Sequence, residues 1–208
     1  MTRQRRRNMR LVAVSGGDAG TPSALFASRC SAIYQLYSIQ LELGDPIKAT
    51  TSWTTIGVID RLPPETPSVI NDEPPDNLGV GDNIFVPVDF EILNADRRQW
   101  AHLYLDWLHS RMIELARARG WNEAPLEAAR LGCIAAGLRV DLEGKTQRSP
   151  DRKFKAQMDL SIDVVRGHRI ALTLFDKVGT VVGQTISNDP CLFHDFRTSA
   201  VRLWWGKA

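Results

Sequence analysis

Several residue groups in this chain have types and spacings that could do chemistry. His102, Asp106 and His109 fall at i, i+4 and i+7. On a helix they share one face, and two imidazoles with a carboxylate could hold a divalent metal. That face lies opposite an apolar stripe, where polar residues belong in any case. Neither an HExxH pattern nor a cysteine pair accompanies it, so no metal site is expected. Asp141 with Glu143-Gly144-Lys145 imitates the carboxylate–lysine end of a nuclease motif. Asp141 is only two residues away, however, and a surface turn explains the same residues. Gly16, Gly17 and Gly20 suggest a phosphate loop but lack the Gly-Lys-Ser/Thr ending. No Gly-x-Ser-x-Gly anchors a serine triad. Cys30, Cys133 and Cys191 are odd in number and scattered, which fits a reducing compartment better than a disulfide scaffold. The chain therefore reads as a non-enzyme without metal or cofactor.

Charge is the stronger signal. The chain has 208 residues and a formal net charge of +2, with 26 Lys+Arg and 24 Asp+Glu. Arg3, Arg5, Arg6, Arg7 and Arg10 stand within the first ten residues, with no acid among them. Without those five, 21 bases face 24 acids, a net −3. Such an arm should be drawn to phosphate, on nucleic acid or on anionic lipid. A second basic cluster, Lys145, Arg148, Arg152, Lys153 and Lys155, surrounds a Ser-Pro turn. Residues 62–83 oppose it in sign. Pro63, Pro64, Pro67, Pro74 and Pro75 accompany five acids there and no Lys or Arg. This reads as an extended, exposed acidic loop, and loops of that length are usually functional or disordered. The terminal Trp204 and Trp205 could cap a self-association surface.

The elements that must position these groups follow from periodicity. Residues 1–30 read as a flexible basic arm, with a Ser/Gly/Pro-rich stretch at 15–23 and order beginning near Ser31. Alternation of Ile39, Leu41 and Leu43 predicts a half-buried strand over 38–43, paired in a hairpin with a second over 47–59. A strand over 84–92 follows, placed at an edge or bulge by Pro87. Asn94 is the expected N-cap of a helix that runs to Arg119 and stops at Gly120. Its stripe is Trp100, Leu103, Tyr104, Trp107, Leu108, Met112, Leu115 and Ala116. A second helix fits 125–136. The last third reads as a meander, with strands at 138–142, 154–165, 169–175 and 180–187, then a closing helix over 193–205. No apolar run approaches the ~20 residues that span a bilayer.

The order of motifs in that last third is distinctive. Gly144-Lys-Thr146 precedes a Pro-containing basic loop and an alternating strand. Arg169-Ile-Ala-Leu-Thr-Leu-Phe-Asp176 ends in aromatic-Asp. After a short polar hairpin comes Leu192-Phe-His-Asp-Phe-Arg-Thr-Ser-Ala200. This arrangement resembles the matrix proteins of rhabdoviruses, especially the vesiculovirus type. Those carry a Gly-Lys-Thr, a strand ending Tyr-Asp and a Phe-x-Asp-Phe-Arg-x-x-Ala helix at similar intervals. Tyr37-Ser-Ile-Gln-Leu-Glu-Leu43, followed by a Thr-rich segment, is similar in a looser way to that family's first strand pair. The resemblance spans 31–205 and is specific over 144–200. The family's budding motif has only a near miss here, Pro22-Ser-Ala-Leu25.

The resemblance implies an α+β fold: a single compact domain over 31–208, its twisted antiparallel sheet packed against two or three helices, behind a disordered basic arm. It implies a non-enzymatic structural protein of an RNA virus that self-assembles and bridges the ribonucleoprotein and the lipid envelope during virion assembly and budding. The arginines of the arm and the second basic cluster would bind membrane or nucleocapsid. The prolines of the loop and the two tryptophans would self-associate. Partners would be further copies, the viral ribonucleoprotein, an anionic membrane surface and the tail of the envelope glycoprotein. Its place would be the virion beneath the envelope, the host cytoplasm and the inner face of host membranes. The alternative is a metal-dependent nuclease or other nucleic-acid-binding protein.

Overall fold

The computed structural model describes residues 7–49, 51–71 and 82–188. They form a mixed α/β protein, in keeping with the expected class. Contacts fall into two units, Met1–Leu138 and Arg139–Ala208.

The first unit begins earlier than composition suggests. Arg7–Met9 is strand β1, Leu11–Ser15 is β2, and Pro22–Leu43 is helix α1. Met9, Val12, Val14, Phe26 and Cys30 are all buried. The flexible arm expected over 1–30 is thus corrected from residue 7 onward; residues 1–6 lie outside the described part. The strand expected over 38–43 is also corrected, since those residues end α1. Leu43, the last apolar residue of that apparent alternation, is 74% exposed, while the helix before it is buried from Ala32 to Ile39 without a break. That leaves no polar face to reveal a helical period. The start signals are orthodox. Thr21 is the N-cap, its hydroxyl accepting from the Ala24 N–H, and Pro22 stands in the first turn.

Residues 47–59 supply two strands, Ile47–Ala49 (β3) and Trp53–Ile59 (β4). β3 pairs with β1, and β4 runs parallel to β2, so the predicted hairpin does not form. Val69–Ile70 (β5) and Asp82–Pro87 (β6) complete a sheet ordered β2-β4-β6-β5, with only β5 antiparallel. β6 is therefore an inner strand, and Pro87 is tolerated because it is the last residue. The loop 62–83 is extended only in part, since it contains β5 and ends in a buried Asp82. That carboxylate pairs with Arg119 at 2.9 Å, and Arg119 also donates to the Asn71 carbonyl. One guanidinium thereby ties both ends of the segment between them. Pro63, Pro64 and Pro67 are exposed; Pro74 and Pro75 lie outside the described residues.

Phe90–Leu93 is a short helix, α2, capped by Asp89. Asn94 ends it rather than starting the next one. Arg97–Arg119 (α3) and Ala124–Ala135 (α4) match the two predicted helices. Tyr104, Leu105, Leu108, Met112, Leu115 and Ala116 are fully buried, whereas Leu103 of the expected stripe is 37% exposed. Phe26 of α1 meets Tyr104 and Trp107 with ring centroids 4.7 Å away. Among the described residues no helix is long and apolar enough to cross a membrane.

The second unit is the expected antiparallel meander: Arg139–Leu142 (β7), Gln147–Arg148 (β8), Lys155–Asp163 (β9), Gly167–Phe175 (β10) and Val181–Ser187 (β11). The sheet order is β11-β10-β9-β7, with β8 also on β9. Of the alternating Met158, Leu160, Ile162 and Val164, the last three are buried and Met158 is half-buried; Ala156 joins them. The helix expected over 193–205, with Trp204 and Trp205, lies outside the described residues.

Two polar side chains carry testable weight. Ser38, fully buried in α1, accepts from the Val12 N–H at 2.9 Å and donates to the Tyr34 carbonyl at 2.7 Å. Ser38→Ala strands that buried N–H and should lower unfolding free energy by about 1–3 kcal/mol in urea titrations. His168 on β10 is buried with Nε2 unpartnered, and burial holds its pKa below the ordinary value. A depressed pKa means that the unfolded chain takes the proton more readily. The stability this neutral imidazole allows is complete above about pH 6.5 and is lost as pH falls further. His168→Leu should flatten that decline in urea midpoints measured between pH 7.5 and 5.

Candidate functional site: a basic hairpin

The clearest gathering of functional groups joins β8 to β9. Ser149 is buried and organises the turn. Its N–H donates to the Phe154 carbonyl at 3.0 Å, its Oγ accepts from the Phe154 N–H at 3.0 Å, and its carbonyl accepts from the Arg152 N–H at 2.9 Å. Pro150 follows it, in keeping with Pro's place early in a turn. Asp151 Oδ1 accepts from the Ser149 hydroxyl at 2.6 Å and from the Lys153 N–H at 3.0 Å. These bonds, the Ser149 hydroxyl first, hold its carboxyl below the usual range. The turn's own acid is thus bonded within the turn, and its Oδ2 lies 3.7 Å from the Lys153 ammonium.

Around this frame stand all five predicted cations. Lys145, Arg148, Arg152 and Lys153 are exposed and Lys155 is half-buried. Over 145–155, five cations face one acid, a net +4. Phe154, 37% exposed, adds an aromatic ring to the same turn. Arg152 has a φ of 58°, a left-handed conformation that glycine or asparagine adopts far more readily. A bulky cation is held there at a cost of about 1 kcal/mol.

The remaining candidates are dispersed or occupied. Arg7 lies in β1; Arg10 is exposed and sits 3.9 Å from Glu42; Arg3, Arg5 and Arg6 lie outside the described residues. His102 is exposed and Asp106 is bonded to Arg130 at 2.8 Å. His109 is not on a solvated face, because α4 packs there. Its Nδ1 lies 3.0 Å from Tyr37 Oη and its Nε2 2.8 Å from Glu127, while the Tyr37 hydroxyl also lies 3.0 Å from the Leu126 carbonyl. Burial lowers its pKa and Glu127 partly restores it. The trio is a clasp across α1, α3 and α4. Among the described residues no group of three His, Cys, Asp or Glu could hold a metal.

The nuclease-like residues have structural explanations. Asp141 accepts from Arg139 Nε and Nη2 at 3.0 and 3.1 Å, which holds its carboxyl low. A Cβ on Gly144 would meet the Met158 carbonyl oxygen at 1.8 Å. This glycine therefore lets the chain lie close against the β9 backbone, and its N–H donates to Asp159 Oδ1 at 3.1 Å. Burial pushes the Cys30 thiol up, and that of Cys133 up to about 12, so neither is a nucleophile at neutral pH.

One arrangement was missed. The glycine-rich loop 16–21 joins a parallel strand to a helix N-terminus, where open α/β sheets commonly bind anions. Here Asp60, at the end of β4, fills the position. Its Oδ1 accepts from the Ser23 N–H at 2.8 Å and its Oδ2 from the Ser23 hydroxyl at 2.5 Å. A cavity of 350 Å³ opens at the end of β6, lined by Pro64, Thr66, Phe90, Trp107 and Arg111 among others. Its cation, Arg111, is already bonded to Ser68 and Glu114 at 2.7 and 2.8 Å. Only the parallel pairing of β2 and β4 exposes this geometry, and pairing partners are not written in local sequence.

No family model, curated protein or solved structure matches the chain.

Arg152→Gly separates architecture from binding. Relief of the left-handed strain offsets glycine's entropy, so Tm should equal or exceed that of the parent. Partition onto anionic vesicles should fall about fivefold, the value of one cation near such a surface.

Proposed function

We propose that the protein is a non-enzymatic structural protein that docks on an anionic surface through the β8–β9 hairpin, in the manner of a matrix protein between ribonucleoprotein and envelope. The observation that carries the reading is the hairpin: five cations and an exposed phenylalanine on a turn whose acid is internally committed. Each Lys or Arg near an anionic leaflet contributes about 1 kcal/mol, so five together bind where one would not. A turn fixed by Ser149 presents them without the ordering cost that a loose tail incurs. Phe154 supplies an apolar group that can enter the headgroup boundary.

The rhabdovirus resemblance gains support from one segment and none from another. The motif order that carries it lies in and around the meander strands over 155–187. Tyr37–Leu43, offered as the family's first strand, is helical instead. Self-assembly, nucleocapsid binding and a place beneath a viral envelope stand as the specific form of the proposal.

Flotation with phosphatidylserine vesicles tests it. The full chain should float at low salt and progressively less as salt rises. Alanine at Lys145, Arg148, Arg152, Lys153 and Lys155 together should abolish flotation without changing Tm. Flotation that survives those five substitutions would refute the hairpin as the docking element. Binding to single-stranded RNA with a steep salt slope, and none to vesicles, would turn the reading to nucleic acid.

A further inference from the structure

The clasp across α1, α3 and α4 has more contacts than one set of proton positions can serve. Tyr37 Oη has a single hydrogen and two neighbours at 3.0 Å, His109 Nδ1 and the Leu126 carbonyl. The carbonyl can only accept. His109 stands between that hydroxyl and Glu127, whose carboxylate lies 2.8 Å from Nε2. A neutral imidazole carries its proton on one nitrogen only.

Two arrangements leave no repulsive contact. With His109 neutral, Nε2–H donates to Glu127 and the Tyr37 hydroxyl donates to Nδ1. The Leu126 carbonyl then keeps the Arg130 N–H that the α4 ladder brings to it. With His109 charged, both ring nitrogens donate, Nε2–H to Glu127 and Nδ1–H to Tyr37 Oη. The hydroxyl hydrogen then turns to the Leu126 carbonyl, which has a second lone pair to offer. A neutral ring with its proton on Nδ1 is excluded, because it aims the bare Nε2 lone pair at a carboxylate.

We propose that this clasp is a proton-operated switch: His109 takes up a proton while α1, α3 and α4 stay joined, and the Tyr37 hydroxyl turns from His109 Nδ1 to the Leu126 carbonyl. The inference stands independently of the surface docking proposed above. Tyr37 is fully buried and burial raises its pKa, so it keeps its hydrogen throughout. Among the described residues, the charged groups that face His109 are Asp106 on α3 and Glu123, Glu127 and Arg130 at α4. Arg130 lies 2.8 Å from Asp106 and 3.4 Å from Glu127. Burial opposes the charged imidazole and Glu127 favours it. The His109 side chain is 14% exposed and lines a groove of 640 Å³ with Glu114, Arg117 and Glu123 among others, so protons reach it from that side. The switch therefore changes the charge of the groove wall by one without moving a helix.

Nitrogen-15 NMR of the full chain, labelled in its four histidines, tests the proton positions. His109→Gln identifies the His109 signals. Near pH 8 the proton should sit on Nε2. Towards pH 5 Nδ1 should gain a second proton, with far-UV circular dichroism unchanged. Tyr37→Phe deprives the charged ring of the acceptor for Nδ1–H. The His109 midpoint should then fall by about one pH unit, while that of exposed His102 stays in place. Should Tyr37→Phe fail to fold, Glu127→Gln carries the test, since it removes the facing carboxylate from the half-exposed side and should lower the same midpoint. A neutral proton on Nδ1, a His109 that titrates only as the chain unfolds, or a midpoint indifferent to either substitution would each overturn the switch.

Discussion

The first unit depends on one demand: a helix buried on most of its circumference must have every polar group inside it satisfied. α1 meets it with a small set of side chains. Ser38 closes a backbone donor of β2, and the Tyr37 hydroxyl reaches both α3 and α4 through His109 and the Leu126 carbonyl. Phe26 fills the space against Tyr104 and Trp107. Together these contacts join α1 to β2, α3 and α4, so the helix acts as the common wall against which strands and helices are placed. An unpaired polar atom at such a wall would cost about as much as several good contacts supply.

That burial also explains where sequence reasoning held and where it failed. α3 and α4 were legible because each keeps one wet face, and the meander because β9 at its centre alternates between buried and half-buried positions. α1 was not, since a helix with apolar residues nearly all round loses its 3.6-residue signature and can show strand-like alternation by chance, as Ile39, Leu41 and Leu43 do. The early strands were hidden differently. The four-residue apolar run Leu11–Val14 stands between arginines and glycines, a composition shared with loose tails. Parallel pairing of β2, β4 and β6 is non-local and leaves no local mark. Of the candidate site, the five cations of the hairpin were readable as a cluster. The spending of Asp151 on the turn, and the left-handed Arg152, were visible only in three dimensions.

Two kinds of positive charge contrast here. Arg7 and Arg10 stand within or beside a strand, where backbone pairing fixes their spacing, while the hairpin places its cations through a single buried serine. In both cases charge is carried on ordered backbone.

Asp60 has a further consequence. By seating its own carboxylate at the N-terminus of α1, the chain occupies from within the one place where a parallel sheet and helix most readily welcome a phosphate. A nucleotide arriving there would have to evict a covalently tethered competitor whose effective concentration never falls. The first unit is in this sense self-inhibited as a nucleotide fold.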